Sequence, residues 1–230
     1  MGDTPPVSLL CWDMVGAAAV DGSVLERAFV DAIATQGVVT GTAAYVKAMV
    51  QFDRTRGWAP ADIIHSLFPE SEVRAQAATL AFERSFQAAV DRFGALPLPG
   101  ANDALAKLAA AGVKVCLMSC LSRAALSLIM ERLAWWQRGD LILCADDAAR
   151  GFPWPDLVLT AILRLGIGDV RDVAVATASE SGVLAARRAG ARQVIGVLND
   201  VDDGRRLRRA GATHLLTDLG ELPDLIASAG

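Results

Sequence analysis

The stretch Val7-Ser8-Leu9-Leu10-Cys11-Trp12-Asp13-Met14-Val15-Gly16 decides the fold. An apolar run of strand length ends here at a single carboxylate, and small residues follow it. In an open α/β sheet, ligands bind outside the carboxyl ends of the strands. We therefore expect Asp13 to lie at the mouth of a crevice. The alternative is that Asp13 caps a strand exit or a turn without any chemical role.

Beyond residue 100, short apolar runs alternate with helical patterns. The predicted strands are Val113–Met118, Leu141–Cys144, Val173–Ala176, Gln193–Val197 and His214–Leu216. The predicted helices are Ala101–Ala111, Ser122–Leu133, Pro155–Leu165, Gly182–Ala189, Asp203–Ala210 and Leu222–Ala227. Alternating strands and helices with continuously apolar strands indicate an α/β fold, in which helices cover both faces of a parallel sheet.

A purely helical block separates the first strand from this alternating region. It begins at the turn and N-cap signal Asp21-Gly22-Ser23 and ends before the linker Leu96–Gly100. Its predicted helices are Val24–Ala34, Ala43–Gln51, Pro60–Leu67 and Glu72–Phe93. We predict a core formed by residues 1–21 and 96–230, with residues 22–95 forming a helical cap above Asp13.

Composition narrows the function classes. The chain has 230 residues, 53% of them hydrophobic, and a formal net charge of −4, which disfavours a general nucleic-acid or membrane-surface binder. No apolar run approaches the roughly 20 residues that span a bilayer, and the N-terminus lacks a signal-peptide pattern, so we expect a soluble cytoplasmic protein. The four cysteines form no CxxC pair, which disfavours zinc. The basic run Arg205–Arg209 is interpreted as a solvated helix face.

The layout resembles the haloacid dehalogenase superfamily, and most of all its phosphonatase-like hydrolases. The resemblance covers nearly the whole chain and includes the cap opening Gly22–Phe29, the segment Gly151–Leu157 and the tripeptide Ala189-Gly190-Ala191. It implies a Rossmann-like core with an inserted helical cap. It also implies that a strand-end aspartate, matched by Asp13, attacks a phosphoryl group.

The first two motifs of the family are partly retained. Val15 stands where most phosphatases have an acid that protonates the leaving group, although phosphonatase-like members often have a small apolar residue there. Gly16 is retained, but Ala17 and Ala18 replace the two threonines that follow it in the family. Ser119 matches the hydroxyl that binds phosphoryl oxygens. Cys120 replaces the glycine expected after it.

The third and fourth motifs depart further from the family pattern. Phe152 occupies the position of the family's basic residue, with Arg150 two residues earlier as a candidate substitute or a solvated loop residue. In the loop that begins at Thr177, Ala178 and Gly182 replace the two aspartates that hold Mg²⁺ in relatives. The longer Glu180 side chain is a weak substitute, because metal sites tolerate little misplacement. We therefore expect neither a specific Mg²⁺ site nor any other cofactor.

The candidate catalytic residues are Asp13 and Ser119. The candidate binding residues are Val15, Gly16, Lys47, Cys120, Arg150, Thr177 and Ser179. Lys47 is included because true phosphonatases form an imine through a cap lysine, and it is the one lysine of the predicted cap. The expected partner is a small molecule in the cleft between core and cap, without nucleic acid or membrane. Homo-oligomerisation is left open.

Three functional hypotheses follow. In the first, the chain keeps the fold and the capped cleft and binds a small molecule or a partner without hydrolysing phosphate esters. In the second, Asp13 acts as acid, base or nucleophile in metal-independent chemistry, with Ser119 orienting a non-phosphorylated substrate. In the third, a residual phosphatase uses a metal site that the motifs do not reveal.

Overall fold

The structure is a computed structural model that describes residues 7–19, 22–198 and 204–228. Its centre is a six-stranded, fully parallel sheet in the order β3-β2-β1-β4-β5-β6. The strands are β1 Leu9–Asp13, β2 Lys114–Met118, β3 Leu141–Leu143, β4 Val173–Thr177, β5 Gln193–Val197 and β6 His214–Leu216. This confirms the predicted α/β class and the Rossmann-like sheet.

The strand order reverses direction at β1. The chain runs from β1 through β2 to β3 on one side, then crosses to β4 and continues through β5 to β6 on the other. At such a switch point the flanking connections leave in opposite directions, and a crevice opens at the carboxyl ends of the strands. Asp13 ends β1 and Thr177 ends β4, so both residues lie at this crevice.

Helices cover both faces of the sheet. The helices are α1 Gly22–Ala34, α2 Ala43–Arg54, α3 Pro60–Leu67, α4 Glu72–Phe93, α5 Ala101–Ala110, α6 Arg123–Leu133, α7 Asp156–Leu165, α8 Glu180–Ala189, α9 Arg205–Ala210 and α10 Leu222–Ala227. Every residue of β1 is buried, with Leu10 and Trp12 in one core cluster and Leu9 and Cys11 in the other. Burial on both faces explains why the strands are apolar runs without alternation.

The helices α1–α4 stand between β1 and α5, and we call residues 22–95 the cap. Within it α1 packs along α4, and the rings of Phe29 and Phe52 stack with their centroids 4.5 Å apart. The two connections to the core lie side by side, because the Leu98 N–H donates to the Ala18 carbonyl at 2.9 Å. The exact boundaries of the core and the cap stay a prediction.

Most element boundaries agree with the sequence prediction within two residues. Helix α8 begins at Glu180, before the predicted Gly182, because the Ser179 side chain caps it by accepting from the Gly182 N–H. Strand β4 extends one residue further than predicted, to Thr177. Asp21, part of the predicted N-cap signal, and Asp203, predicted to begin a helix, lie outside the described residues. No described helix is both long and apolar enough to cross a membrane.

Candidate functional site

Asp13 is almost completely buried, with 5% of its surface exposed. The Thr177 hydroxyl donates to its Oδ2 at 2.8 Å, and the backbone of Val15 and Met14 also favours the charged form of the carboxylate. Desolvation raises the pKa of Asp13 to about 7, although these hydrogen bonds oppose the shift. Asp13 is therefore a carboxyl group that changes its charge near neutral pH.

Ser119 lies next to Asp13 across the sheet. Asp13 pairs in register with Met118, so Ser119 leaves β2 at the level where Asp13 leaves β1. The Ser119 Oγ accepts a hydrogen bond from the Leu121 N–H at 3.2 Å, which orients the side chain. Both residues line one cavity beneath the cap, as the sequence predicted for a shared site.

The cavity has a volume of about 80 Å³ and mostly apolar walls. Its apolar lining consists of Val15, Leu25, Phe52, Trp58, Pro60, Ile63, Phe82, Leu121 and Ala178. Gly16, Cys120 and Ser179, which were predicted as binding residues, also line it. The Cys120 Sγ accepts from the Phe152 N–H at 3.2 Å, and burial raises the pKa of this thiol, so Cys120 is neutral in the site.

Arg56 is a cationic residue of the cavity lining that the sequence analysis missed. It lies between α2 and α3 of the cap, and its guanidinium donates to Asp53 at 3.4 Å. Its backbone carbonyl accepts from the Ser181 hydroxyl at 2.7 Å, which joins the cap to the core. Gly57 has a φ of 88°, a conformation that glycine adopts without strain. The sequence signal that could have identified Arg56 was its position before Gly57 in the loop between two cap helices.

The loop after β4 departs most clearly from the family motif. Thr177 is fully buried against Asp13, and Ser179 donates its N–H to the Thr177 Oγ1 at 3.2 Å. A Cβ added at Gly182 would overlap the Thr177 hydroxyl and would lie 2.9 Å from the Thr177 Cβ. The Thr177 side chain therefore occupies the space through which a side chain at position 182 would have to pass.

The structure does not bring Arg150 or Lys47 to the cavity, which corrects both predictions. Arg150 makes two hydrogen bonds to Asp156, at 3.0 and 2.9 Å, and its guanidinium lies 4.4 Å from the centroid of the Trp154 ring. Lys47 lies in a different groove of the cap, together with residues of α3 and the α3–α4 connection.

The remaining candidate substitutes from the sequence also lie elsewhere. Glu180 is on the outer side of α8, where its carboxylate lies 3.6 Å from Arg206. Arg206 also donates to Asp53 at 3.2 Å, so a residue of the basic run forms a contact between core and cap. Phe152 is buried in the second core cluster. None of these three residues is among the described residues that line the cavity.

A family model described as haloacid dehalogenase-like hydrolase matches residues 34–197. The chain belongs to this family. The match covers most of the chain, although it begins after Asp13, and the predicted superfamily is confirmed. A hydrolase from Pseudomonas syringae has the same fold, with a TM-score of 0.83 and 22% identity over 97% of this chain and 100% of that one.

Two curated relatives are named as a phosphatase and as a hydrolase of a phosphonate. The phosphorylated carbohydrates phosphatase of Thermotoga maritima is 30% identical over 51% of this chain and 54% of its own length. The phosphonoacetaldehyde hydrolase of Pseudomonas entomophila is 32% identical over 40% of this chain and 34% of its own length. This second relative agrees with the predicted phosphonatase-like branch. The matches span about half or a third of these relatives.

Proposed function

We propose that this haloacid dehalogenase-like protein binds a small, largely apolar molecule between core and cap, and that it does not use Mg²⁺ to hydrolyse phosphate esters. One observation carries the proposal. Among the described residues that line the cavity, Asp13 is the sole carboxylate, and it is already hydrogen-bonded to the protein's own Thr177 hydroxyl.

The residues around Asp13 do not fit Mg²⁺. This ion demands near-octahedral oxygen coordination and is usually held by one or two carboxylates together with substrate phosphate. Ala178 and Gly182 offer no side-chain oxygen, and Thr177 fills the route from position 182. Within the described parts of the chain, no three His, Cys, Asp or Glu side chains come together as a metal-binding group. Asp13 alone is a weak ligand set.

A phosphate group would also be repelled by Asp13 once that residue is charged. Two like charges 4 Å apart repel by about 4 kcal/mol at an effective dielectric constant of 20. In a metal-dependent phosphatase, a cation removes this repulsion and stabilises the transition state. Arg56 is the cationic residue among the described lining residues, and it already bonds Asp53. The site therefore favours a neutral or singly charged ligand over a phosphate dianion.

The shape of the cavity favours a small ligand. A cavity of about 80 Å³ is smaller than the ~150 Å³ that holds benzene in an engineered protein core. With the cap seated as in this structure, the site therefore accommodates a molecule of only a few heavy atoms. Apolar walls supply contact area, while Asp13, Ser119 and Arg56 supply polar groups that orient such a ligand.

Metal-independent acid–base catalysis is the second candidate function, and the environment of Asp13 favours it. A general acid or base is most effective when its pKa lies near the working pH. Burial raises the pKa of Asp13 to about 7, and Ser119 lines the same cavity as a hydrogen-bonding group. In this case Asp13 would exchange a proton with a non-phosphorylated substrate that Ser119 holds in place.

A fragment screen by ligand-observed NMR, repeated with and without millimolar Mg²⁺, tests the proposal. We expect small apolar fragments to bind equally well in both conditions. Substitutions at Trp58 or Phe82 should weaken this binding. The same protein is assayed against generic phosphate esters and phosphonates, because the names of the relatives favour a phosphatase. Phosphate release that requires both Mg²⁺ and Asp13 would overturn the proposal.

A further inference from the structure

Three buried hydroxyl groups connect Asp13 to the backbone of the cap. The Thr177 Oγ1 lies 2.8 Å from the Asp13 Oδ2 and 3.3 Å from the Ser179 Oγ. The Ser179 Oγ lies 3.3 Å from the Ser181 Oγ, which in turn lies 2.7 Å from the Arg56 carbonyl oxygen. We call Thr177, Ser179 and Ser181 the hydroxyl chain.

Two glycines make room for this chain. A Cβ added at Gly182, on the core side, would overlap the Thr177 hydroxyl. A Cβ added at Gly57, on the cap side, would overlap the hydroxyls of both Ser179 and Ser181. The cap backbone therefore approaches the hydroxyl chain as closely as only glycine permits, and the chain is enclosed from both sides.

The number of hydrogen atoms available for donation couples the two ends of the hydroxyl chain. Four contacts join Asp13 to the Arg56 carbonyl, and each hydroxyl can donate one hydrogen. When Asp13 is neutral, its own hydrogen makes four, and all four contacts are filled by donation in one direction, from Asp13 towards Arg56. When Asp13 is charged, Thr177 donates back to it, and only three hydrogens remain for the four contacts.

We propose that Ser181 is a positioning residue that couples the seating of the cap to the hydrogen bonding of Asp13. In the structure Thr177 donates to Asp13 while Ser181 donates to the Arg56 carbonyl, so one of the four contacts lacks a hydrogen. Protonation of Asp13 would supply that hydrogen and reverse the donation between Asp13 and Thr177. The seated cap, whose Arg56 carbonyl takes one hydrogen of the chain, is therefore stabilised when Asp13 is protonated. Lifting the cap removes this acceptor. The inference deepens the proposed function and rests on it, since it makes the cap a regulator of the polar group that the ligand meets.

Other charged and titratable groups also lie near Asp13, in addition to the hydroxyl chain. From the β2 side comes the Cys120 thiol, whose pKa the charge of Asp13 raises further. From the cap come Arg56, which lines the cavity, and Asp62, whose charge also acts on Cys120. Among the described residues, the β4 side contributes the hydroxyls of the chain, and the charged Glu180 on that side is directed to Arg206.

The coupling can be measured by NMR without any ligand. Protein labelled with aspartate ¹³C at the side-chain carboxyl reports the charge of Asp13, assigned with Asp13→Asn. Protein labelled with 5-fluorotryptophan reports the cap through Trp58, which lines the cavity and is assigned with Trp58→Phe. In the wild type we expect the Trp58 fluorine and the Asp13 carbon to shift with pH at the same midpoint.

Breaking the chain at either end should uncouple the two signals. In Ser181→Ala, which removes the donor to the cap, the Trp58 signal should no longer change at the midpoint of Asp13. In Thr177→Val, which keeps the bond between Ser181 and Arg56, Trp58 should also stop responding. The matched control is Thr79→Val in α4, since the Thr79 hydroxyl bonds a carbonyl of its own helix at 2.9 Å. This control should titrate like the wild type.

Separate outcomes overturn the inference and the proposed function. A shared titration that survives in a folded Ser181→Ala or Thr177→Val variant, or a wild-type Trp58 signal that does not follow Asp13, would overturn the coupling. Ser181→Ala tests the cap end of the hydroxyl chain. If Ser181→Ala does not fold, Thr177→Val still tests the coupling. Coupled titration in a protein that releases phosphate with Mg²⁺ would instead contradict only the proposed function.

Discussion

The hydroxyl of Thr177, at the end of β4, donates a 2.8 Å hydrogen bond to the carboxylate of Asp13, at the end of β1. These strands are neighbours at the switch point of the sheet, where the fold places its ligands. One of the polar contacts that a ligand would make with Asp13 is thus made by the protein itself.

Thr177 and Gly182 should behave as one packing unit. With Thr177 present, Gly182→Ala forces the new methyl group into the Thr177 hydroxyl, and overpacking of this kind costs about 1–3 kcal/mol. In a Thr177→Gly background this overlap is removed, and the nearest remaining neighbour of the new methyl group is the Ser179 Oγ at 3.0 Å. There the same substitution should be neutral or stabilising by up to about 1 kcal/mol, because alanine favours helices over glycine.

Urea unfolding of the four proteins of this double-mutant cycle measures the coupling directly. The test compares the effect of Gly182→Ala between the two backgrounds, so the cost of Thr177→Gly in the strand cancels. An equal effect in both backgrounds would show that the two side chains do not compete for space.

Restoring a magnesium site should require three changes together. We expect Ala178→Asp combined with Gly182→Asp to fold poorly, because an aspartate side chain at position 182 has no route past the Thr177 hydroxyl. Adding Thr177→Gly removes this obstacle and should produce saturable Mg²⁺ binding, followed by isothermal titration calorimetry at millimolar Mg²⁺. The wild type should show no saturable binding. Equal binding by the wild type and the triple variant would contradict the prediction.

Restoring the basic residue of the third motif is predicted to fail. The sequence comparison suggests Phe152→Arg, but Phe152 is 2% exposed and packs in the second core cluster. An arginine there would bury an uncompensated charge, which destabilises proteins strongly. Thermal unfolding should show a large loss of stability for Phe152→Arg and a much smaller one for Phe152→Leu, which keeps an apolar side chain.

The sheet and its crevice were predictable because they depend on local patterns. The apolar runs specify strands, and Asp13 and Ser119 each follow such a run, so their meeting at one edge depends only on neighbouring parallel strands. The contact between Thr177 and Asp13 was not predicted. It depends on Gly182 being small, and a sequence pattern shows that glycine without showing which side chain fills its space.

The cap residues were predicted less well because their directions depend on tertiary packing. Lys47 was chosen for its residue type, yet the packing of α2 directs it to a different groove. Arg56 lies in the loop after the same helix and reaches the cavity because the loop docks on Ser181. Arg150 was close to the expected position in sequence, but Asp156 holds it at the surface.

Ala134 is predicted to be a site of stored backbone strain that one substitution relieves. It ends α6 with a φ of 54°, and it is the one described residue other than glycine with a positive φ. An alanine in the left-handed region costs about 1 kcal/mol relative to glycine, so Ala134→Gly should stabilise the fold by about this amount. The matched control is Ala111→Gly at the end of α5, where φ is −79° and glycine should destabilise. Thermal unfolding of both variants checks the opposite signs.

The last prediction concerns the pH dependence that Asp13 confers on stability. Burial raises the pKa of Asp13 from its ordinary value of 3.8 to about 7 in the folded protein. Between these two values the folded state holds a proton that the unfolded state has lost, so stability falls as pH rises from about 4 to about 7 and then levels off. A shift of this size corresponds to a loss of about 4 kcal/mol.

Asp13→Asn removes this contribution, because asparagine does not ionise and can still accept the Thr177 hydrogen bond. The variant should therefore gain stability relative to the wild type as pH rises, with the largest difference above pH 7 and a small one near pH 4. Urea unfolding of both proteins at pH 4, 5.5, 7 and 8.5 measures the difference, in which the other titrating groups cancel. Curves that stay parallel across this range would mean that folding does not raise the pKa of Asp13, because the surrounding hydrogen bonds offset its desolvation.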